Sequence, residues 1–462
     1  MGLAPPSGHL ILEAENGRVD FKVGADKKPF AVTNVAGRLD LDLARGRVSF
    51  RLAGEPIRTD MSLPTPGQVQ LEGDWTPGEN LSGPLTARVQ TRGALLYDWV
   101  PFLTGRNPGL YGLVDARADL RGSIYSFQFE GSSVVRQLRR WELPPPADSM
   151  PASFTVRGQF NRAERGRVVL ESAQVSFRGS TLHASGNIEQ AFESPRLDLA
   201  VAVERSRLED FFQLERRFTG GGSTGLTGRV DGLVTVRGPW REPSLNGFFK
   251  GHGAHLAAGG SAFPVSDIDL RVDESGARLA PLHLTLAPRV ELVAEGAIRS
   301  VSRRTPPTER SMPRSSIHRS LPVTTPSHGL AGLQYSLALS TKGLPLHDLV
   351  RFGRSLGMHV ARELDANGTA IALFELTGNV WPLGPPAWRG QAELRGARFF
   401  LPGLTEPLDL PHARVEINEN KIVADPVTAV IGASVFTGRL EHEGSRNAPW
   451  DFNVRTPHLS LE

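Results

Sequence analysis

Polar and apolar residues alternate with a period of two along most of this chain. In Leu39-Asp40-Leu41-Asp42-Leu43 every Leu falls on one side of an extended backbone and every Asp on the other, because successive side chains of a strand point to opposite faces. Residues 48–52, 197–203, 268–272, 282–286 and 415–417 repeat the pattern. Strands of this kind keep one face wet, which favours antiparallel sheets over a buried parallel one. Turn signals lie between them. Asn16-Gly17 predicts a two-residue hairpin joining 10–15 to 18–23, since both turn positions need positive φ. Residues 44–47, 274–277 and 419–421 carry weaker versions of the same device. The expected fold is mainly β, an elongated repetitive antiparallel sheet with a few short helices.

The helices are expected at 95–103, 208–218 (LEDFFQLERRF) and 346–356 (LHDLVRFGRSL), where apolar residues recur at three- and four-residue spacing. Each segment is followed by a Gly-bearing stretch and another alternating run: GLVDARADLRG, GRVDGLVTVRG and GTAIALFELTG. This is a repeat. Its shared Asp falls at 98, 210 and 348, so the intervals are 112 and 138 residues. Discounting about 26 residues of a Ser/Thr/Pro-rich insertion restores the shorter period. The closing LSLE matches the approach to a fourth such Asp, and the chain is read as ending at a repeat boundary. The expected organisation is 1–94, 95–207, 208–345 with a basic insertion at about 299–328, and 346–462. Repeats that cannot close a core alone argue for an array more than for separate domains.

Composition changes this picture in three ways. The net charge of +3 has one main source: six Arg (299, 303, 304, 310, 314 and 319) against Glu309 put +5 in the insertion, leaving −2 for the rest. A nucleic-acid surface would spread basic residues over folded elements among aromatic platforms, so no nucleic-acid partner is expected, and the insertion reads as an unstructured segment. Cysteine is absent, which removes disulfides and thiolate chemistry. No apolar run approaches the ~18 residues of a membrane-spanning helix, and residues 1–17 carry neither a basic leader nor a cleavage pattern.

Catalytic and metal motifs are weak. Gly220–Gly225 fits both G-x-G-x-x-G and G-x-S-x-G, but each motif needs a strand before it and a helix after it, and here the order is reversed. A flexible connector is the simpler reading. His252 and His255, three apart in an expected strand, point to opposite faces and have no adjacent third ligand. The carboxylates alternate with apolar residues as the wet face of strands should, without the burial that separates the pKa values of an acid–base pair. No catalytic residue, cofactor or metal is expected, and the chain is not read as an enzyme.

Several segments resemble the AsmA-like family, related to the TamB-type bridge proteins of bacterial envelopes. They are Asn16-Gly17-Arg18-Val19-Asp20-Phe21-Lys22 with Lys28-Pro29-Phe30, Gly54-Glu55-Pro56-Ile57-Arg58-Thr59-Asp60, Arg237-Gly238-Pro239-Trp240-Arg241-Glu242-Pro243-Ser244-Leu245-Asn246-Gly247, and Thr377-Gly378-Asn379-Val380-Trp381 with Trp388-Arg389-Gly390. The likeness spans nearly the whole chain and is one of repeat style. It implies a taco-like β-groove or solenoid in the periplasm, anchored to the inner membrane by an N-terminal helix that this chain lacks. It also implies phospholipid transport, outer-membrane biogenesis and regulation of protein targeting to membrane. The implied partners are phospholipid acyl chains and the inner and outer membranes or their proteins. The family offers no role for the Arg-rich insertion.

The candidate lipid-lining residues are the alternating apolar ones: Leu39, Leu41, Leu43, Leu197, Leu199, Val201, Val203, Ile268, Leu270, Val272, Leu282, Leu284 and Leu286. One-face-apolar strands suit an open trough for acyl chains and a dry sandwich core equally well. A structural or scaffold β-protein of the envelope therefore stands as the alternative.

Overall fold

A computed structural model describes residues 8–23, 26–59, 67–104, 109–146, 148, 150–191, 193–220, 225–240, 242–300, 333–355, 365–379, 387–400, 405–418, 421–443 and 450–457. Within them the chain is mainly β: 24 strands belong to one antiparallel sheet, interrupted by a few short helices. Two compact units are present, Met1–Gly221 with Asp231–Asn246, and Gly222–Val230 with Gly247–Glu462.

In the first unit β1 (His9–Val23), β2 (Asp26–Asp42), β3 (Arg47–Arg58), β4 (Gln68–Trp75) and β5 (Leu85–Leu95) lead into α1 (Leu96–Thr104). Then β6 (Leu110–Gly122), β7 (Ser126–Arg140), β8 (Ala152–Asn161), β9 (Arg167–Phe177), β10 (Ser180–Glu189) and β11 (Arg196–Arg207) lead into α2 (Leu208–Thr219). Each strand pairs antiparallel with the next, from β1 through β11. β12 (Gly225–Pro239) contributes residues to both units.

The second unit continues with β13 (Ser244–Ala258), β14 (Ser261–Pro264), β15 (Ile268–Asp273), β16 (Gly276–Ala287), β17 (Val290–Ser300) and β18 (Leu333–Pro345), which runs into α3 (Leu346–Ser355). After it come β19 (Asp365–Asn379), β20 (Ala387–Phe400), β21 (Leu408–Asn418), β22 (Lys421–Ile431), β23 (Ser434–Glu443) and β24 (Trp450–Arg455). β14 folds back on β13 as a short hairpin, β15 pairs with the preceding part of β13, and the ladders then follow chain order to β24.

The repeat is visible in this order. Six strands separate α1 from α2; six more, with β14 as an added hairpin, separate α2 from α3; and six follow α3. Asp98, Asp210 and Asp348 are each the third residue of their helix, and all three are buried. Each helix also sets an aromatic ring against the sheet: Trp99 lies 5.4 Å from Phe30, Phe211 meets Phe177 edge-on at 5.3 Å, and Phe352 meets Phe263 edge-on at 5.1 Å. Acidic residues open α2 and α3 and Arg residues close them, complementing the helix dipole. No helix among the described residues is long and apolar enough to cross a membrane.

Two expectations are corrected. Asn16-Gly17 is no hairpin: β1 runs through it unbroken and pairs with β2 on both sides, with Asn16 at φ 56° where the register shifts. A single left-handed residue in a continuous strand makes a bulge, and a type I′ turn would need two. The Arg-rich insertion does not begin at Arg299, because Arg299 and Ser300 close β17 and pair with Gln334 and Leu333 of β18. The remainder of that predicted segment lies outside the described residues.

Candidate functional site

Register turns the alternation of single strands into continuous rows. In the first unit one cross-strand row reads Leu12, Leu39, Phe50, Gly73, Ala87, Leu120, Phe129, Gly158, Leu170, Gly186, Leu199, one residue from each of the eleven strands. The row beside it reads Leu10, Leu41, Val48, Trp75, Leu85, Gly122, Phe127, Phe160, Val168, Ile188, Leu197. On its other side run Ala14, Gly37, Leu52, Leu71, Val89, Ala118, Gly131, Val156, Ala173, Ala184 and Val201. None of these residues is charged or even hydroxylated. Small residues are interspersed among large ones: a Cβ on Gly158 would come within 2.7 Å of the Phe129 ring, so the ring lies over the glycine of the next strand.

The opposite face is the reverse in character. Glu13, Arg38, Arg51, Glu72, Arg88, Asp119, Glu130 and Arg157 form a row of charge over eight strands. Arg38 meets Glu13 at 3.1 Å, Arg88 meets Asp119 at 2.7 Å, and Arg157 meets Glu130 at 3.0 Å. Arg88, donating to Asp119, holds that carboxyl below the usual carboxylate range, and Arg117 adds to the effect. Exposed pairs of this kind contribute little stability each; their consequence is that one face is charged and the other is apolar.

Burial separates two zones of the sheet. Phe30, Ala31, Ala94 and Leu95 are buried near α1, and Met150, Ala152, Phe177 and Val203 near α2. Most of the rows, including Leu39, Leu41, Phe50, Leu71, Val89, Leu120, Phe129, Val156, Leu170, Leu199 and Val201, are only half-buried. A closed sandwich would bury such residues between two sheets.

The sequence candidates distribute as follows. Leu39 and Leu199 stand in one row, on β2 and β11, and Leu41 and Leu197 in the neighbouring row, with Leu197 buried. Val201 and Val203 continue the same face of β11. Leu43 is not on the sheet: β2 ends at Asp42, and Leu43 is 44% exposed in the turn that follows. In the second unit Ile268, Leu270 and Val272 are half-buried on β15, opposite Gly251, Phe249 and Gly247. Leu282 is half-buried, whereas Leu284 and Leu286 are 6% and 4% exposed. Arg351 of α3 reaches this end of β16, donating to the Leu286 carbonyl at 3.0 Å. A register shift between Leu279 and Leu282 keeps both on one face, opposite Gly296 and Ala294.

Most of the lining escaped the sequence reading, including Phe50, Leu71, Leu120, Phe129 and Val156. The signal was present in alternating runs such as Phe127-Gln128-Phe129-Glu130; interspersed glycines diluted it. His252 and His255 do not converge: the first lies 3.4 Å from Asp267, and the second has Nδ1 3.2 Å from the Gly253 carbonyl. Gly220 ends α2 in the left-handed conformation, its N–H donating to the Arg216 carbonyl. Comparison of this chain with family models, curated proteins and solved structures finds no match.

Proposed function

We propose that this chain is an AsmA-like periplasmic envelope protein whose uncharged sheet face carries phospholipid acyl chains, in support of phospholipid transport and outer-membrane biogenesis. The observation that carries the reading is the set of adjacent uncharged rows running unbroken from β1 to β11, half-buried over most of their length. Moving a sixteen-carbon chain through water exposes about 0.8 kcal/mol per CH₂, on the order of 12 kcal/mol in all. A trough of apolar side chains offsets that cost along the whole route. Lipid movement along such a face needs no cofactor and no chemistry of bond breaking. The location follows from the family resemblance.

The test is a photo-crosslinker at Leu199 or Leu120, in the full-length membrane-anchored protein. Either position is expected to capture phospholipid, while the outward Asp198, paired with Arg237, is expected not to. Crosslinks only to neighbouring strands, at every inward position tried, would establish the scaffold reading instead.

A further inference from the structure

Beside the C-terminal turn of α2 lies a cavity of about 400 Å³ whose wall includes Arg139, Arg178, Arg216, Arg217 and Asp148. Four arginines and one carboxylate are among the lining residues. Arg178 and Arg217 both donate to Asp148, and Arg217 also reaches the Asp148 carbonyl at 3.2 Å. The Arg217 side chain is only 5% exposed, and its Nη1 is buried with no acceptor. Arg139 is held in place from two directions: its Nε donates to the Leu143 carbonyl at 3.0 Å, and its guanidinium stacks 3.9 Å above the Tyr111 ring. That ring packs on Trp141 at 5.5 Å. Arg139 Nη1 is also buried without an acceptor.

Buried donors are almost always satisfied, and a buried guanidinium needs compensation for its lost hydration. Arg216 and Arg217 have a reason to stand at a helix C-terminus, where carbonyls carry partial negative charge. That reason does not extend to Arg139 on β7 or Arg178 in the turn between β9 and β10. Converging from three elements, these side chains form a pocket with more donors than acceptors. An oxyanion with several acceptor oxygens matches the forked, planar donor geometry of arginine.

We propose that this cavity binds a phosphate-class oxyanion, with Asp148 keeping Arg178 and Arg217 aligned toward it. The proposal does not depend on acyl chains occupying the apolar face. Its test is calorimetric titration of the full chain with inorganic phosphate, against chloride at matched ionic strength. Arg178→Gln, at a partly exposed position, is expected to weaken phosphate binding about tenfold or more with the melting temperature little changed. Asp148→Asn, which leaves an acceptor for only one of the two guanidiniums it aligns, is expected to weaken it severalfold. Flotation with phosphatidylcholine vesicles, with and without phosphatidic acid, then separates the sources. Capture that requires phosphatidic acid and is lost in Arg178→Gln assigns the anion to a lipid headgroup; saturable binding of inorganic phosphate without vesicle capture assigns it to a free anion. Phosphate binding no stronger than chloride, or equal in the wild type and both variants, overturns the site. Lipid crosslinking at Leu199 would stand in either case.

Discussion

Gly93, Arg205 and Gly343 each stand five residues ahead of the buried Asp of their repeat, and all have positive φ, at 60°, 46° and 134°. The Gly93 N–H donates to Asp115 at 2.8 Å and the Arg205 N–H to Asp231 at 2.7 Å, while Gly343 donates to the Thr341 hydroxyl at 3.2 Å. At Gly93 and Gly343 the strand register shifts at the same place, so a bulge turns the chain from strand into helix. A residue with a Cβ in the left-handed region costs roughly 1 kcal/mol. A Cβ on Gly93 would meet nothing within 4 Å, so Gly93→Ala is expected to lose about 1 kcal/mol through conformation alone. Arg205→Gly is expected to gain about 0.5 kcal/mol, the relief of strain exceeding the added freedom of the unfolded chain. Urea unfolding measures both; a loss at Arg205→Gly would show that this position is not equivalent to Gly93.

At the scale of the element, α2 is tied to the sheet by one buried carboxylate. Asp210 Oδ2 accepts from the Ser180 hydroxyl at 2.8 Å and from the Gly179 N–H at 3.3 Å, and Ser180 Oγ accepts from the Arg207 N–H at 2.9 Å. The turn between β9 and β10 and the first turn of α2 are therefore one unit. Asp210→Ala leaves the Gly179 N–H without an acceptor and the Ser180 hydroxyl with only the Arg207 carbonyl at 3.4 Å, and is expected to cost about 2 kcal/mol. Ser180→Ala should cost less, and the double variant less than the two losses together, since both act on one network. Additive losses in denaturant melts would refute the coupling. The recurrence of this Asp was legible from its spacing alone. Its burial was not, because Ser180 and Asp210 are 30 residues apart and meet only through the pairing of β9, β10 and β11.

At the scale of the whole molecule, the same alternation serves two environments. Leu199 stands in a half-buried row, whereas Leu284 is 6% exposed, paired across the sheet with Leu292 and bridged to Val265. A charge at Leu199 can stay partly hydrated, so Leu199→Asp is expected to cost about 1–2 kcal/mol, and Leu284→Arg at least about 3 kcal/mol. Denaturant midpoints for the two variants, at unchanged m-value, measure the difference. Equal losses would mean that Leu199 lies in a closed core.

The sequence by itself determined the strands, the helices and their recurrence, because a period of two, a period of three to four and a repeated Asp are local and survive in one dimension. It misplaced the Asn16-Gly17 hairpin, since the same two residues serve a turn or a bulge and only the partner strand chooses. It also could not separate Leu199 from Leu284. Alternation says which side of a strand a residue occupies, while depth depends on what packs there. The tertiary structure alone decided that apolar residues from eleven strands fall into common rows, because register is a property of pairs. It alone gathered Arg139, Arg178 and Arg217, which lie up to 78 residues apart, because no local pattern marks a pocket whose walls come from separate elements.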